Sequence, residues 1–176
     1  MIYYETSRLR FRDWEESDLE TFRRMNADER VMKYFPSTLS EAATNAFYQS
    51  IKAEFKEYGF GFYAVESKEP KEFIGFIGLR RVSFEAEFTP CIEIGWRLKA
   101  EAWGKGYATE GATACLRHGF DQLGFREIYS FTAVINEPSK NVMVKIGMQY
   151  KGTFDHPRVE ESSTLRKHVL YHISKP

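Results

Sequence analysis

The stretch richest in chemical potential is Trp103-Gly104-Lys105-Gly106-Tyr107-Ala108-Thr109, which sits between an alternating apolar run, Ile92 to Leu98, and a helical pattern. A strand feeding a glycine turn feeding a helix makes an anion site, because the helix start exposes unpaired N–H groups and a partial positive charge. Gly104 and Gly106 carry no side chain, so phosphate oxygens can approach the backbone. Lys105 adds a cation and Thr109 a hydroxyl. Three phosphate-binding readings compete. A Walker A loop needs Gly-x-x-x-x-Gly-Lys-Ser/Thr, whereas Gly104-Lys105 is followed by Gly106. A Rossmann fingerprint needs Gly-x-Gly-x-x-Gly early in a βαβ unit, whereas Thr109 holds the third position and the turn lies past mid-chain. The third is a coenzyme A site. The plain alternative is a helix-start turn whose glycines serve geometry alone.

Two further groups carry chemistry. Glu93 interrupts an otherwise apolar strand, on the face opposite Ile92 and Ile94. It is either a general base for an amine, which is mostly protonated near neutral pH, or a strand-surface acid in a salt bridge. His168 and His172 are spaced i, i+4, which on a helix would chelate a metal. On a strand that spacing separates them by about 13 Å, and no metal site is expected.

Several elements must position these residues. Leu9, Phe11 and Asp13 alternate with Arg8, Arg10 and Arg12, which predicts an opening strand with one charged face. Ser17-Asp18-Leu19-Glu20 has the form of a capping box ahead of a helix. Leu39, Ala43, Phe47, Ile51 and Phe55 predict a second helix, ending before Gly59. Strands are predicted at Phe60–Val65, Phe73–Leu79, Cys91–Leu98, Ile128–Val134 and Leu165–Ile173, the second apolar on both faces and hence central. A helix from Gly106 to Leu123 points Ala112, Cys115, Leu116 and Gly119 inward. A shorter one runs from Ser139, its expected N-cap, to Ile146. Phe154 to Arg158 reads as a polar turn, and Tyr129, Tyr150 and Tyr171 as core packing residues first and candidate acids second. The order β-α-α-β-β-β-α-β-α-β-β predicts one α/β domain over residues 1–176.

Composition narrows the partners. The 176 residues are 43% hydrophobic and 16% aromatic, enough for a sizeable core without staples. Lys and Arg total 25 against 25 Asp and Glu, so the basic excess usual in nucleic-acid binders is missing. No run approaches the roughly 20 apolar residues of a membrane span. Met1-Ile2-Tyr3-Tyr4-Glu5 lacks the basic start of a signal peptide, and Cys91 and Cys115 are expected to be reduced core thiols, so a cytoplasmic location is expected.

Glu101-Ala102-Trp103-Gly104-Lys105-Gly106 follows the pattern Gln/Arg-x-x-Gly-x-Gly/Ala at every position but the first. Downstream lie Asn136-Glu137-Pro138-Ser139-Lys140-Asn141 and Lys145-Ile146-Gly147-Met148. With these motifs, in this order, the chain resembles the GNAT superfamily of N-acetyltransferases. Glu5 to Arg12 and Tyr107 to Glu110 are similar to the group that acetylates the N-terminal alanine or serine of ribosomal proteins. The resemblance implies a strongly twisted mixed sheet, helices on both faces, and two central strands that splay apart around acetyl-CoA. It implies no metal.

The same resemblance implies roles. Backbone from Gly104 through Lys105, Gly106, Tyr107 and Ala108 to Thr109 would hold the pyrophosphate. Strand residues Ile94 and Trp96 would flank the thioester, with a backbone N–H near Glu93–Trp96 at its oxygen. Asn136 would bond the pantetheine amides, with Asn141 close by. Glu93 would act as base through water, and Ser139 would protonate the departing thiolate. The acceptor channel would be walled by residues 25–58, offering Tyr34, Phe35 and Tyr48, and by residues 153–164, offering His156, Glu160 and Glu161; these acids would either draw a cationic substrate or simply stand on a solvated loop. The expected acceptor is a protein or peptide N-terminal amine, such as that of a ribosomal protein. The alternatives are a small amine (polyamine, amino acid or aminoglycoside) and a non-catalytic acyl-CoA-binding module. A monomer or homodimer is expected.

Overall fold

A computed structural model describes all 176 residues. The chain forms strands β1 (Ile2–Glu5) and β2 (Leu9–Arg12), helices α1 (Asp18–Ala27) and α2 (Glu41–Tyr58), and strands β3 (Phe62–Ser67), β4 (Glu72–Val82) and β5 (Cys91–Leu98). Helix α3 (Tyr107–Asp121), strand β6 (Glu127–Ala133), helix α4 (Glu137–Lys145) and strands β7 (Gln149–Asp155) and β8 (Lys167–Ser174) follow. One mixed eight-stranded sheet has the order β1-β2-β3-β4-β5-β6-β8-β7. All neighbours are antiparallel except β5 and β6, which α3 connects as a crossover.

The sheet is buried on both faces by two separate cores. On β3, Tyr63 and Val65 pack toward α3 and α4, while Phe62 and Ala64 pack toward α1 and α2. This alternation explains why β3 and β4 read as apolar on both faces. Helix α2 starts where Ser40 Oγ accepts the Ala43 N–H (3.1 Å) and ends at Gly59 in the left-handed conformation.

Local expectations fail in instructive places. Ser17 makes no capping bond. Asp18 instead turns inward, accepting the Glu15 N–H at 2.9 Å and both Arg12 Nη atoms at 2.8 and 2.9 Å. Arg12 also reaches Glu66 at 3.1 Å, so one end of the charged face of β2 is buried. Asp13 lies beyond β2, and β1, an edge strand with exposed Ile2 and Glu5, had no apolar alternation to announce it. Helix α4 begins two residues ahead of Ser139, with Asn136 as its N-cap. Phe154 and Asp155 belong to β7 rather than to a turn. Tyr150 is 58% exposed and does not pack inward as expected. Cys115 is buried and Cys91 only half-buried, and both are free. No helix is long and apolar enough to cross a membrane.

Candidate active site

The parallel strands β5 and β6 pair at one position, Glu93 with Tyr129. Just past it the Ser130 hydroxyl donates to the Ile94 carbonyl at 3.0 Å. Beyond that bridge, Gly95 to Leu98 keep their partners on β4 but have none on β6. A cavity of about 930 Å³ opens there, lined on the sheet by Ile94, Trp96 and Arg97 from β5 and by Phe131 and Thr132 from β6. Sites at the carboxyl ends of diverging parallel strands are the general rule in α/β sheets.

The glycine turn stands at the mouth of this opening. Gly104 and Gly106 adopt φ of 71° and 78°, a region that L side chains rarely occupy. A Cβ at Gly104 would meet nothing within 4 Å, and one at Gly106 only Arg8 Nη2 at 3.6 Å. Gly106 caps α3 without a side chain, so the first N–H groups of a 15-residue helix have no capping acceptor. Gly104, Lys105 and Gly106 are exposed, whereas Tyr107, Ala108 and Thr109 are half-buried. Only Ala108 of these six also lines the cavity. Glu101, in place of the usual Gln or Arg, faces Arg30 at 3.3 Å.

Sequence reasoning missed what holds the turn. Arg8 Nη1 donates to the Lys105 carbonyl at 2.9 Å, and its guanidinium lies 4.7 Å from the Tyr107 ring centroid. Arg8 Nε donates to Glu110 at 2.7 Å, and the Thr6 hydroxyl donates to the same carboxylate at 2.5 Å. No local spacing signals this clamp, since its halves lie at opposite ends of the motif order.

Glu93 lines the cavity beside the apex of the opening. Burial drives its pKa up to about 7; Arg80 opposes that shift and Glu54 adds to it. Asn136 lines the cavity too, but its side chain serves α4 first: Oδ1 accepts the Ser139 N–H at 3.3 Å, and Nδ2 donates to Thr132 Oγ1 at 2.8 Å and Ser139 Oγ at 3.2 Å. Ser139 is half-buried in the lining, one helical turn from the N-cap. Asn141 is exposed on α4 and outside the lining, so it is not brought to the others.

Residues 8–149 match the sequence profile described as "Acetyltransferase (GNAT) domain". The chain belongs to the GNAT acetyltransferase family. It is 33% identical over 149 residues to the uncharacterized protein YkkB of Bacillus subtilis, covering 84% of this chain and 86% of that one. A solved GNAT acetyltransferase from Bacillus anthracis superposes with a TM-score of 0.79 at 27% identity, over 97% of this chain and 96% of that one. A structure of RimL, a ribosomal L7/L12 alpha-N-protein acetyltransferase in complex with coenzyme A, shares the fold with a TM-score of 0.79 at 15% identity, over 99% and 98% of the two chains. The chain is thus an N-acetyltransferase, and GNAT acetyltransferases use acetyl-CoA.

The wall expected to face the acceptor departs from the sequence reading. Tyr48 is buried in the core on the α1 and α2 side of the sheet, whereas Tyr34, Phe35 and His156 do line the cavity. Glu160 and Glu161 do not: both stand exposed outside it, so the acidic attraction expected of them is absent from the lining. The lining also includes Arg80 and Phe84, which carried no sequence signal, and His168, which the sequence had offered only as half of a rejected metal pair. His168 and His156 pack with tilted rings, their centroids 4.8 Å apart. Burial, then the neighbouring His168 and Arg158, pull His156 down to about 4, leaving it neutral near pH 7.

Proposed function

We propose that this chain transfers the acetyl group of acetyl-CoA to a primary amine that enters on the Glu93 face of β5. One observation carries the reading: β5 has an unpaired edge, with Glu93 at its apex and the uncapped start of α3 at its mouth.

The residues fit the cosubstrate. Open space above Gly104 and Gly106, and the free N–H groups of α3, suit a pyrophosphate. Bound acetyl-CoA supplies an acyl group already activated as a thioester. Glu93, with a pKa near 7, takes the proton of the acceptor ammonium, directly or through water, and leaves a neutral nitrogen. An N–H on the unpaired edge between Glu93 and Trp96 is placed where negative charge collects on the acyl oxygen. The new N–C bond forms as the C–S bond breaks; Ser139 gives a proton to the departing sulfur and is reprotonated by the proton that the nitrogen sheds on becoming an amide. Ile94 and Trp96 flank the acyl group, and Asn136 turns toward the pantetheine arm. Tyr34, Phe35 and His156 form the acceptor wall.

The first acceptor is a protein or peptide N-terminal amine, as for a ribosomal protein. Its support is the Thr6-Ser7-Arg8 clamp on the cradle, built from the two segments that resemble that group, together with the fold shared with RimL. A small-molecule amine is the second reading, favoured by a cavity whose volume is that of ordinary small-molecule sites. The test is free coenzyme A release with acetyl-CoA and a panel of peptides and small amines. Turnover on a panel member supports transfer. Tight acetyl-CoA binding with no turnover on any amine overturns it in favour of a non-catalytic acyl-CoA-binding module.

A further inference from the structure

Arg97 is a cation with no counter-ion. It lies on the same face of β5 as Glu93, opposite Ile94 and Leu98, which pack in the core beneath α3. Its guanidinium sits against three aromatic rings, 4.3 Å from the Phe35 centroid, 5.4 Å from Phe76 and 5.7 Å from Phe47. Its one hydrogen-bond partner is neutral: Nη1 donates to Asn26 Oδ1 at 2.8 Å. Nε is buried with no partner at all. A guanidinium has five N–H donors, and burying it unpaired is costly. That cost shows as a pKa pulled down to about 10 by burial, which still leaves the group charged at neutral pH.

The surroundings repeat the imbalance. Among charged residues lining the cavity, six are basic (Arg30, Lys33, Arg80, Arg81, Arg97 and Arg158) and Glu93 alone is acidic. Arg30 and Arg80 have acid partners, whereas Lys33, Arg81, Arg97 and Arg158 have none. The cradle's phosphates do not account for Arg97, because the turn leads into α3 on the other face of β5. Aromatic packing stabilises a cation but leaves its in-plane N–H donors unsatisfied, and those donors match a carboxylate.

We propose that Arg97 is the specificity-determining residue for the acceptor, which carries a carboxylate several ångströms from the amine it presents to Glu93. The inference rests on the transfer reading and names its substrate class: an amine and a carboxylate in one molecule, either a free amino acid or a peptide with an acidic residue near its N-terminus. Arg97 and Glu93 are two strand repeats apart, roughly 13 Å between Cα atoms. Their side chains close part of that distance, so a molecule of amino-acid to dipeptide length spans it. A polyamine, with no anion, would bring further positive charge into a wall already short of acid.

The test uses matched pairs: 4-aminobutyrate against butylamine, lysine against cadaverine, and a Ser-Asp peptide amide against its Ser-Asn counterpart. In the wild-type enzyme the carboxylate member is expected to win by at least about tenfold in kcat/KM, mainly through KM. In Arg97→Met, which keeps the aromatic packing, that ratio should fall to about one. In Asn26→Asp the guanidinium stays but gains a built-in counter-ion, and the ratio should fall likewise. Arg97→Lys should restore part of it. The amino acid and peptide pairs separate the two sources of carboxylate. Calorimetry on the coenzyme A complex reads carboxylate binding without turnover. Arg97-dependent binding with no turnover would sink the transfer reading and keep this one. Turnover with the same preference ratio in Arg97→Met, a wild-type preference for the uncharged or polycationic amines, or no binding of any carboxylate member would overturn the role of Arg97.

Discussion

Arg8 Nε and Glu110 Oε2 meet at 2.7 Å, although 102 positions separate the two residues in sequence. The pair ties the loop before β2 to the first turn of α3, and the same guanidinium holds the Lys105 carbonyl. An exposed ion pair contributes roughly 0 to 1 kcal/mol to stability, so its consequence lies in the conformation of the glycine turn.

Arg8→Met is therefore expected to weaken acetyl-CoA binding by about three- to tenfold while the thermal midpoint moves only slightly. Titration calorimetry and a thermal melt on the same preparation check this. A large drop in the melting midpoint with unchanged affinity would mean that the clamp serves the fold and not the cradle.

Gly106→Val should weaken acetyl-CoA binding by more than about tenfold, because a β-branched residue resists φ of 78° and its side chain occupies the space above the turn. Gly124→Val is the matched comparison. Gly124 has φ of 73° and open space around it, but lies after α3, away from the turn. It should cost similar stability and leave affinity intact. Equal affinities in the two folded variants would misplace the cradle.

Wild-type turnover should rise with pH through about 7, as Glu93 loses its proton and becomes able to accept one. Glu93→Gln should lower turnover by about a hundredfold and remove that acid limb, leaving only the acceptor amine's own deprotonation. A pH–rate series on both enzymes decides it. A loss of the same size at every pH would count against a base.

The same carboxylate makes a stability prediction of opposite sense. Unfolded, Glu93 titrates near 4.5; folded, near 7. Between those values the folded chain holds a proton that the unfolded chain has released, so stability falls as pH rises across the window. Glu93→Gln should remove that fall and be the more stable protein above pH 7, by about 1 to 3 kcal/mol. Urea denaturation at pH 5 and pH 8 measures it, and parallel curves for the two proteins would contradict it.

What the sequence disclosed follows from how local each signal was. Strand β5 was readable to the residue, since its alternation and the turn after it are properties of one continuous segment. The glycine turn and the start of α3 were readable for the same reason. The charge of the cavity wall was not, because it depends on which of many arginines and glutamates face inward, and that is fixed by packing across α1, α2 and the loop after β7. Glu160 and Glu161 stand exposed outside the lining, the second of the two readings open to them. Arg97 had a usable signal: in a strand, the fourth residue after Glu93 shares its face. Ser139 suited an N-cap by type, but Asn136 took the position because Pro138 sits comfortably in the first turn that follows it.

The bridge from the Ser130 hydroxyl to the Ile94 carbonyl has a consequence for acyl length. Strands diverge from a fixed vertex there, so the vertex is a floor, and any chain sliding down the wedge runs out of width at Ile94. Ser130 is itself buried, which leaves the floor little room to give way. The sheet measures depth from its own seam: on the proposed reading, with the thioester in this wedge, a two-carbon acyl group would stop above the bridge and each added methylene would need room elsewhere.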